Sequence, residues 1–254
     1  YFPGYGQYEA YDPADNATTI SDFQLVSWML SRFSTIDQIQ DAIRDVRVVG
    51  IDPRASTVHW RIADMTGRQV VLEIVDGVPH FYENTLGVLT NAPGFEWQMT
   101  NLNNYVNLTP GTAGPTDIRN LRMKSFGGGS GMLGLPGDVT PPSRFVRAAF
   151  YAATAIPQDT AYGAVMQAFH ILNNFDVPLG TQYPIDQVPT PMPSATQFTS
   201  ATDMTNQILY YRTMYNSVIR AIDLSKINFS DVKYQVHPMD AIREQTVINI
   251  QPDA

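Results

Sequence analysis

The sequence predicts an α+β fold: a four-layer αββα sandwich, with two mainly antiparallel sheets lying between two helical layers. Three observations carry that expectation. The segments follow the order helices, strands, helices, strands, and no strand–helix–strand unit repeats. Thr66-Gly67 and Asp76-Gly77 are tight-turn dipeptides between short β-branched runs, so the strands they join run antiparallel. The helical segments carry narrow apolar stripes, so each must lie on the face of another element. No internal repeat and no composition boundary interrupts residues 1–254, and a single domain is expected.

Residues 1–17, rich in Tyr, Gly, Pro and Asp, read as an irregular aromatic loop. Ser21 followed by Gln24 is a capping-box pattern, and Phe23, Val26, Met29, Leu30 and Phe33 then recur at helical spacing. Ser34 and Asp37 restart a second short helix carrying Ile36, Ile39 and Ile43. Five short strands follow, at 46–49, 57–64, 68–75, 79–83 and 87–89, before Pro93-Gly94 closes the run and a short helix begins. Residues 107–131 form a long glycine-containing excursion of the kind that is functional or interface-forming. Pro141 and Pro142 suit the first turn of a helix running to about Ile156, and a second helix spans 160–174. Beyond a connector containing Pro178, Pro184, Pro189, Pro191 and Pro193, strands at 196–202, 207–213 and 218–224 form a second antiparallel set, with a turn near Asn216-Ser217.

Composition excludes several classes of function. A net charge of −8 with scattered basic residues argues against a nucleic-acid partner. No apolar run is long enough to span a bilayer. The absence of cysteine removes disulfides, thiolate metal sites and a thiol nucleophile from these residues. His59, His80, His170 and His237 show no metal-ligand spacing, so neither a metal nor another cofactor is expected. The glycine-rich Phe126–Gly131 lacks the Lys-Ser/Thr pair of a phosphate loop and reads as a surface loop. The opening Tyr1-Phe2-Pro3-Gly4-Tyr5 shows no targeting pattern and looks like the middle of a fold, so a fragment or processed part is expected.

Two residues stand out chemically. Asn91 ends an apolar strand just before a proline turn, where its carboxamide either donates to an oxyanion or closes the turn as Asx residues do. Arg144 sits in the first turn of a helix, where a cation opposes the helix dipole. Either an anion or thiolate satisfies it, or Asp138 anchors it; Arg147, one turn on, reads as structural.

The run Thr90-Asn91-Ala92-Pro93, with Phe95, Gln98 and Asn101-Leu102-Asn103-Asn104-Tyr105, resembles a motif of the choloylglycine hydrolase and penicillin V acylase family. So does Gly134-Leu135-Pro136-Gly137-Asp138 followed by Ser143-Arg144-Phe145-Val146-Arg147-Ala148-Ala149-Phe150. The likeness extends from Tyr1 to about Leu224 and includes Tyr210-Tyr211-Arg212-Thr213 and Arg220-Ala221-Ile222-Asp223-Leu224. The family comprises N-terminal-nucleophile amidohydrolases that attack a linear amide C–N bond with the thiol of their first residue.

The resemblance implies that Asn91 donates to the oxyanion, that Arg144 lies beside the nucleophilic thiol, and that Tyr1 helps form the oxyanion hole. It also implies the N-terminal-nucleophile hydrolase fold without its first strands. The family's nucleophilic Cys, its first-strand Arg and its early Asp match positions upstream of Tyr1, so a separate N-terminal segment is an expected partner. The implied substrate is a conjugated bile salt, penicillin V or an acyl amide of similar shape. Phe2 and Tyr5, within the aromatic opening, are candidates to line an apolar wall for it, or else simply pack the loop. Residues 107–131 resemble an oligomerisation arm, which implies a homotetramer. A non-catalytic relative that binds amphipathic amides, or a structural subunit of the same fold, are the competing readings. A cytoplasmic location is expected, with periplasmic or secreted locations as alternatives.

Overall fold

The computed structural model describes residues 1–14, 18–52, 57–183, 185–187 and 194–251, which fall into two compact units, Tyr1–Thr154 and Ala155–Ala254. In the first unit β1 (Thr19–Ser21) pairs in parallel with β2 (Arg47–Val49), and two helices lie between them in sequence, α1 (Asp22–Arg32) and α2 (Ile36–Ala42). Both helices open on complete capping boxes. Ser21 and Gln24 form the first, as expected. The second is formed by Thr35 and Gln38, not started at Ser34, because the Thr35 hydroxyl accepts the Gln38 N–H while the Gln38 side chain returns to the Thr35 N–H.

The main sheet of this unit is antiparallel, in the order β3 (Trp60–Ala63), β4 (Gln69–Val75), β5 (Val78–Glu83). Asp76 and Gly77 both take positive φ, the backbone that a two-residue hairpin needs to follow the right-handed twist of its strands. The central strand β4 is buried on both faces. Leu72 and Ile74 point into a cluster with Leu25, Met29, Ile39, Ile43, Val48 and Trp60, which is the core under α1 and α2. Val71 points the other way, into a cluster with Val88, Phe95 and Phe145. The fully buried Val70, Val71 and Leu72 each stabilise the fold by about 1.5–3 kcal/mol. Strand alternation therefore assigns Glu73, two residues from Val71, to the second face.

Residues 87–89, expected as a fifth strand, form none. The buried Asn84 carboxamide donates to the Val88 carbonyl and accepts the Val88 N–H, taking the place of a neighbouring strand. After them come α3 (Phe95–Asn101) and a 3₁₀ turn, Leu102–Tyr105. Within 107–131 lies an exposed antiparallel hairpin, β6 (Thr116–Ile118) and β7 (Leu121–Met123). α4 (Pro141–Thr154) begins on the expected proline pair and sends Phe145, Val146 and Ala149 into the interior.

In the second unit α5 (Ala161–Leu172) is capped by the Thr160 hydroxyl, which accepts the Gly163 N–H at 3.0 Å. An antiparallel sheet follows in the order β10 (Arg220–Asp223), β9 (Ile208–Thr213), β8 (Phe198–Asp203). The Asn216 side chain accepts the Val218 N–H, which makes the expected turn an Asx turn. Arg212 reaches the Asp176 carboxylate at 2.7 Å and lies over the Phe169 ring. Of the connector prolines, Pro184, Pro189, Pro191 and Pro193 lie outside the described residues. No helix among the described residues is long and apolar enough to cross a membrane.

Candidate active site

Asn91 and Arg144 belong to different elements, 53 residues apart, and their side chains meet. Arg144 Nη2 donates to Asn91 Oδ1 at 2.6 Å, while Arg144 Nε donates to the Val139 carbonyl at 3.0 Å. The guanidinium fork thus spans the turn before α4 and the carboxamide of Asn91. With its oxygen so engaged, the Asn91 carboxamide has its NH₂ directed elsewhere, and one hydrogen goes to the Tyr1 carbonyl at 2.9 Å. A carboxamide nitrogen carries two hydrogens, so the second remains for a ligand.

Arg144 is half-buried and has no carboxylate partner among the described residues. Burial pushes its guanidinium pKa down, and repulsion from Arg147 adds to the effect. Asp138, the alternative anchor, is committed elsewhere. Its carboxylate accepts from Thr140 N, Thr140 Oγ1 and Ser143 Oγ, and these bonds hold its pKa down to about 2. Arg147 donates to the carbonyls of Pro136 and Asp138, both at 2.7 Å, and so fastens the turn that leads into α4. The result is a cation aimed at Asn91 with its charge left over for an anion.

The backbone around Asn91 is tied down on several sides. Thr90 Oγ1 donates to the Pro141 carbonyl at 3.1 Å, linking the Asn91 segment to the first residue of α4. His59 Nε2 lies 2.7 Å from the Thr90 carbonyl, and Nδ1 lies 3.0 Å from Glu73 Oε1. The same Glu73 oxygen accepts the Phe95 N–H at 2.8 Å, at the start of α3. Gln98 adds two longer contacts, 3.5 and 3.4 Å, to the carbonyls of Asn91 and Pro93. At Gly94 an added Cβ would stand 3.1 Å from Glu73 Oε2, so a glycine there lets the carboxylate approach the backbone.

Of the other expected site residues, Tyr1 is exposed and reaches Asn91 through its carbonyl. Phe2 is buried, 1% exposed, and presents no surface to a ligand in this chain. Its ring stacks on His59, with centroids 4.7 Å apart, because Phe2 N–H and carbonyl are both held by Thr57. Tyr5 stacks on Phe2 at 5.8 Å and stays half-exposed, the outermost ring of the stack. Of the two rings expected to line a wall, Tyr5 alone keeps an exposed face, and Phe2 lies beneath it.

His59 and Glu73 were not among the residues expected to matter, although one signal was visible. Glu73 interrupts the apolar run Val70-Val71-Leu72-Glu73-Ile74-Val75, where a carboxylate is costly unless paired. Both are buried, and removing one partner of such a pair costs about 3–5 kcal/mol.

Comparison with known proteins gives one consistent result. The model of the linear amide C–N hydrolases, choloylglycine hydrolase family, matches residues 1–237. A bile salt hydrolase/transferase from Clostridium perfringens is 34% identical over 231 residues, covering 89% of this chain and 69% of that protein. One from Lactiplantibacillus plantarum is 33% identical over 252 residues, covering 98% of this chain and 76% of its own. The crystal structure of a variant of conjugated bile acid hydrolase from Clostridium perfringens superposes with a TM-score of 0.82 at 30% identity, over 98% of this chain and 75% of that one. The α+β fold with mainly antiparallel sheets is that of the N-terminal-nucleophile hydrolases. The chain belongs to the choloylglycine hydrolase family of linear amide C–N hydrolases.

Proposed function

We propose that this chain stabilises the oxyanion and the attacking thiolate in an amidohydrolase that cleaves conjugated bile salts. One observation carries the reading: Arg144, without a carboxylate partner among the described residues, orients the Asn91 carboxamide and leaves a cation beside it. The 254 residues contain no cysteine, so the thiol comes from outside them. Its α-amino group takes the thiol proton, and the thiolate attacks the amide carbon. The carbonyl oxygen becomes an oxyanion held by the free Asn91 N–H and the Tyr1 segment. Collapse expels the amine, which takes the proton back, and water then releases the acid and the thiol. The bile-salt substrate follows from the names of the relatives that share about a third of the sequence.

Purified with its thiol nucleophile, the enzyme is expected to hydrolyse glycocholate and to lose that activity on treatment with iodoacetamide. The 254 residues alone are expected to hydrolyse nothing. Turnover by the 254 residues that survives iodoacetamide would mean another nucleophile operates. Tyr1 points to a second substrate, penicillin V, because the resemblance places it where some penicillin acylases of the family carry Tyr. The ratio of kcat/KM for glycocholate and penicillin V decides between them.

Exposed apolar residues in and beside residues 107–131 motivate a proposal on assembly. Ile118, Leu121, Met123, Phe126 and Leu133 are all exposed, where a solvated loop would be polar. We assign this segment to contacts between copies in a homotetramer. Deleting residues 112–126 from the complete enzyme should lower its mass in light scattering, and an unchanged mass would remove the interface role.

A further inference from the structure

We propose that His59, locked by Glu73, is the positioning residue that sets the separation of the two sides of the oxyanion hole. The inference rests on the assignment of Asn91 and Tyr1 to that hole. One imidazole touches the neighbour of each. Its face stacks on Phe2, the residue after Tyr1, with centroids 4.7 Å apart and planes 11° from parallel. Its Nε2 lies 2.7 Å from the carbonyl of Thr90, the residue before Asn91. Among the described residues, no other side chain combines ring stacking on Phe2 with a hydrogen bond to Thr90.

The hydrogen-bonding chemistry defines the orientation of the ring. A carbonyl only accepts, so Nε2 carries a hydrogen and donates it to Thr90. Nδ1 then faces Glu73 Oε1 at 3.0 Å. Glu73 Oε1 also accepts the Phe95 N–H, so the carboxylate is itself fixed to the start of α3. A ring held at both nitrogens and on one face cannot rotate without breaking a buried hydrogen bond. The pair is 2% and 3% exposed at its side chains and so contacts no substrate; it acts through the backbone of the residues that do.

Two substitutions of similar polarity separate positioning from packing. In His59→Gln the side-chain nitrogen occupies nearly the place of Nε2 and keeps the donor to Thr90. In His59→Asn it reaches only the place of Nδ1, and that donor is lost. In the complete enzyme, His59→Asn should lower kcat by roughly 10- to 100-fold, since a displacement of about 1 Å in a catalytic group costs that much. KM and the rate of thiol alkylation by iodoacetamide should stay within about twofold, because neither depends on the oxyanion hole. His59→Gln should recover most of the lost kcat. Glu73→Gln, which frees the ring from behind, should fall between the two.

The side-chain ¹⁵N–¹H resonances of Asn91 give a reading independent of turnover. They should shift in His59→Asn and stay near the wild-type position in His59→Gln. Equal losses of kcat in the two His59 variants, alkylation slowing in step with kcat, or unmoved Asn91 resonances would each overturn the positioning role. If the unaltered enzyme cleaves no amide, the functional reading fails, and the resonances still decide whether His59 positions Asn91.

Discussion

Asn91→Ala is expected to lower kcat for amide hydrolysis about 10²-fold while leaving KM nearly unchanged. The Asn91 carboxamide is oriented before any substrate arrives: its oxygen accepts from Arg144 and one of its hydrogens is held by the Tyr1 carbonyl. A second hydrogen held in this way meets a neutral carbonyl weakly and an oxyanion strongly, so its removal acts on the transition state. Steady-state kinetics on the complete enzyme check this. A raised KM with an intact kcat would instead make Asn91 a residue of ground-state binding.

Replacing Arg144 should cost more, because two functions depend on it. Arg144→Ala removes the donor that orients Asn91 and the unpaired cation beside it, and kcat should fall by roughly 10³-fold, the upper end for loss of such stabilisation. Arg144→Lys should recover little. The guanidinium bonds Val139 and Asn91 through two different nitrogens, and an ammonium on a flexible stem cannot hold both. The lysine should nevertheless protect thiolate formation better than it protects kcat, since it keeps the charge. Iodoacetamide labelling across pH reads the thiolate directly. Equal thiolate fractions in the alanine variant and the unaltered enzyme would show that Arg144 serves Asn91 alone.

Much of the local structure was legible because it is decided within a few residues. The Ser21–Gln24 capping box, the Asp76-Gly77 turn and the proline start of α4 are each local hydrogen-bond or φ preferences. Residues 87–89 misled because Val88 and Leu89 are apolar while the hydrogen-bond partner of Val88 is the side chain of Asn84, not a strand. The hairpin within 107–131 was hidden by the glycines that flank it and by the shortness of strands with no buried face.

For the site, the sequence by itself determined the residue types: an Asn91 just before a proline turn, a first-turn Arg144, no thiol among 254 residues, and motifs that resemble one family of amidohydrolases. It left open whether Arg144 pairs with Asp138, and whether Phe2 and Tyr5 line a ligand wall or pack the loop. Only the tertiary structure decided these points. Asp138 spends its oxygens on Thr140 and Ser143, so Arg144 turns to Asn91 instead. Thr57 pulls Phe2 into the interior, where it stacks on a histidine that sequence reasoning had examined only for metal spacing. The physical reason is the same in each case. A polar group chooses among several partners of suitable chemistry, and the choice is made by which of them the packing of β4, α3 and α4 brings within hydrogen-bond reach.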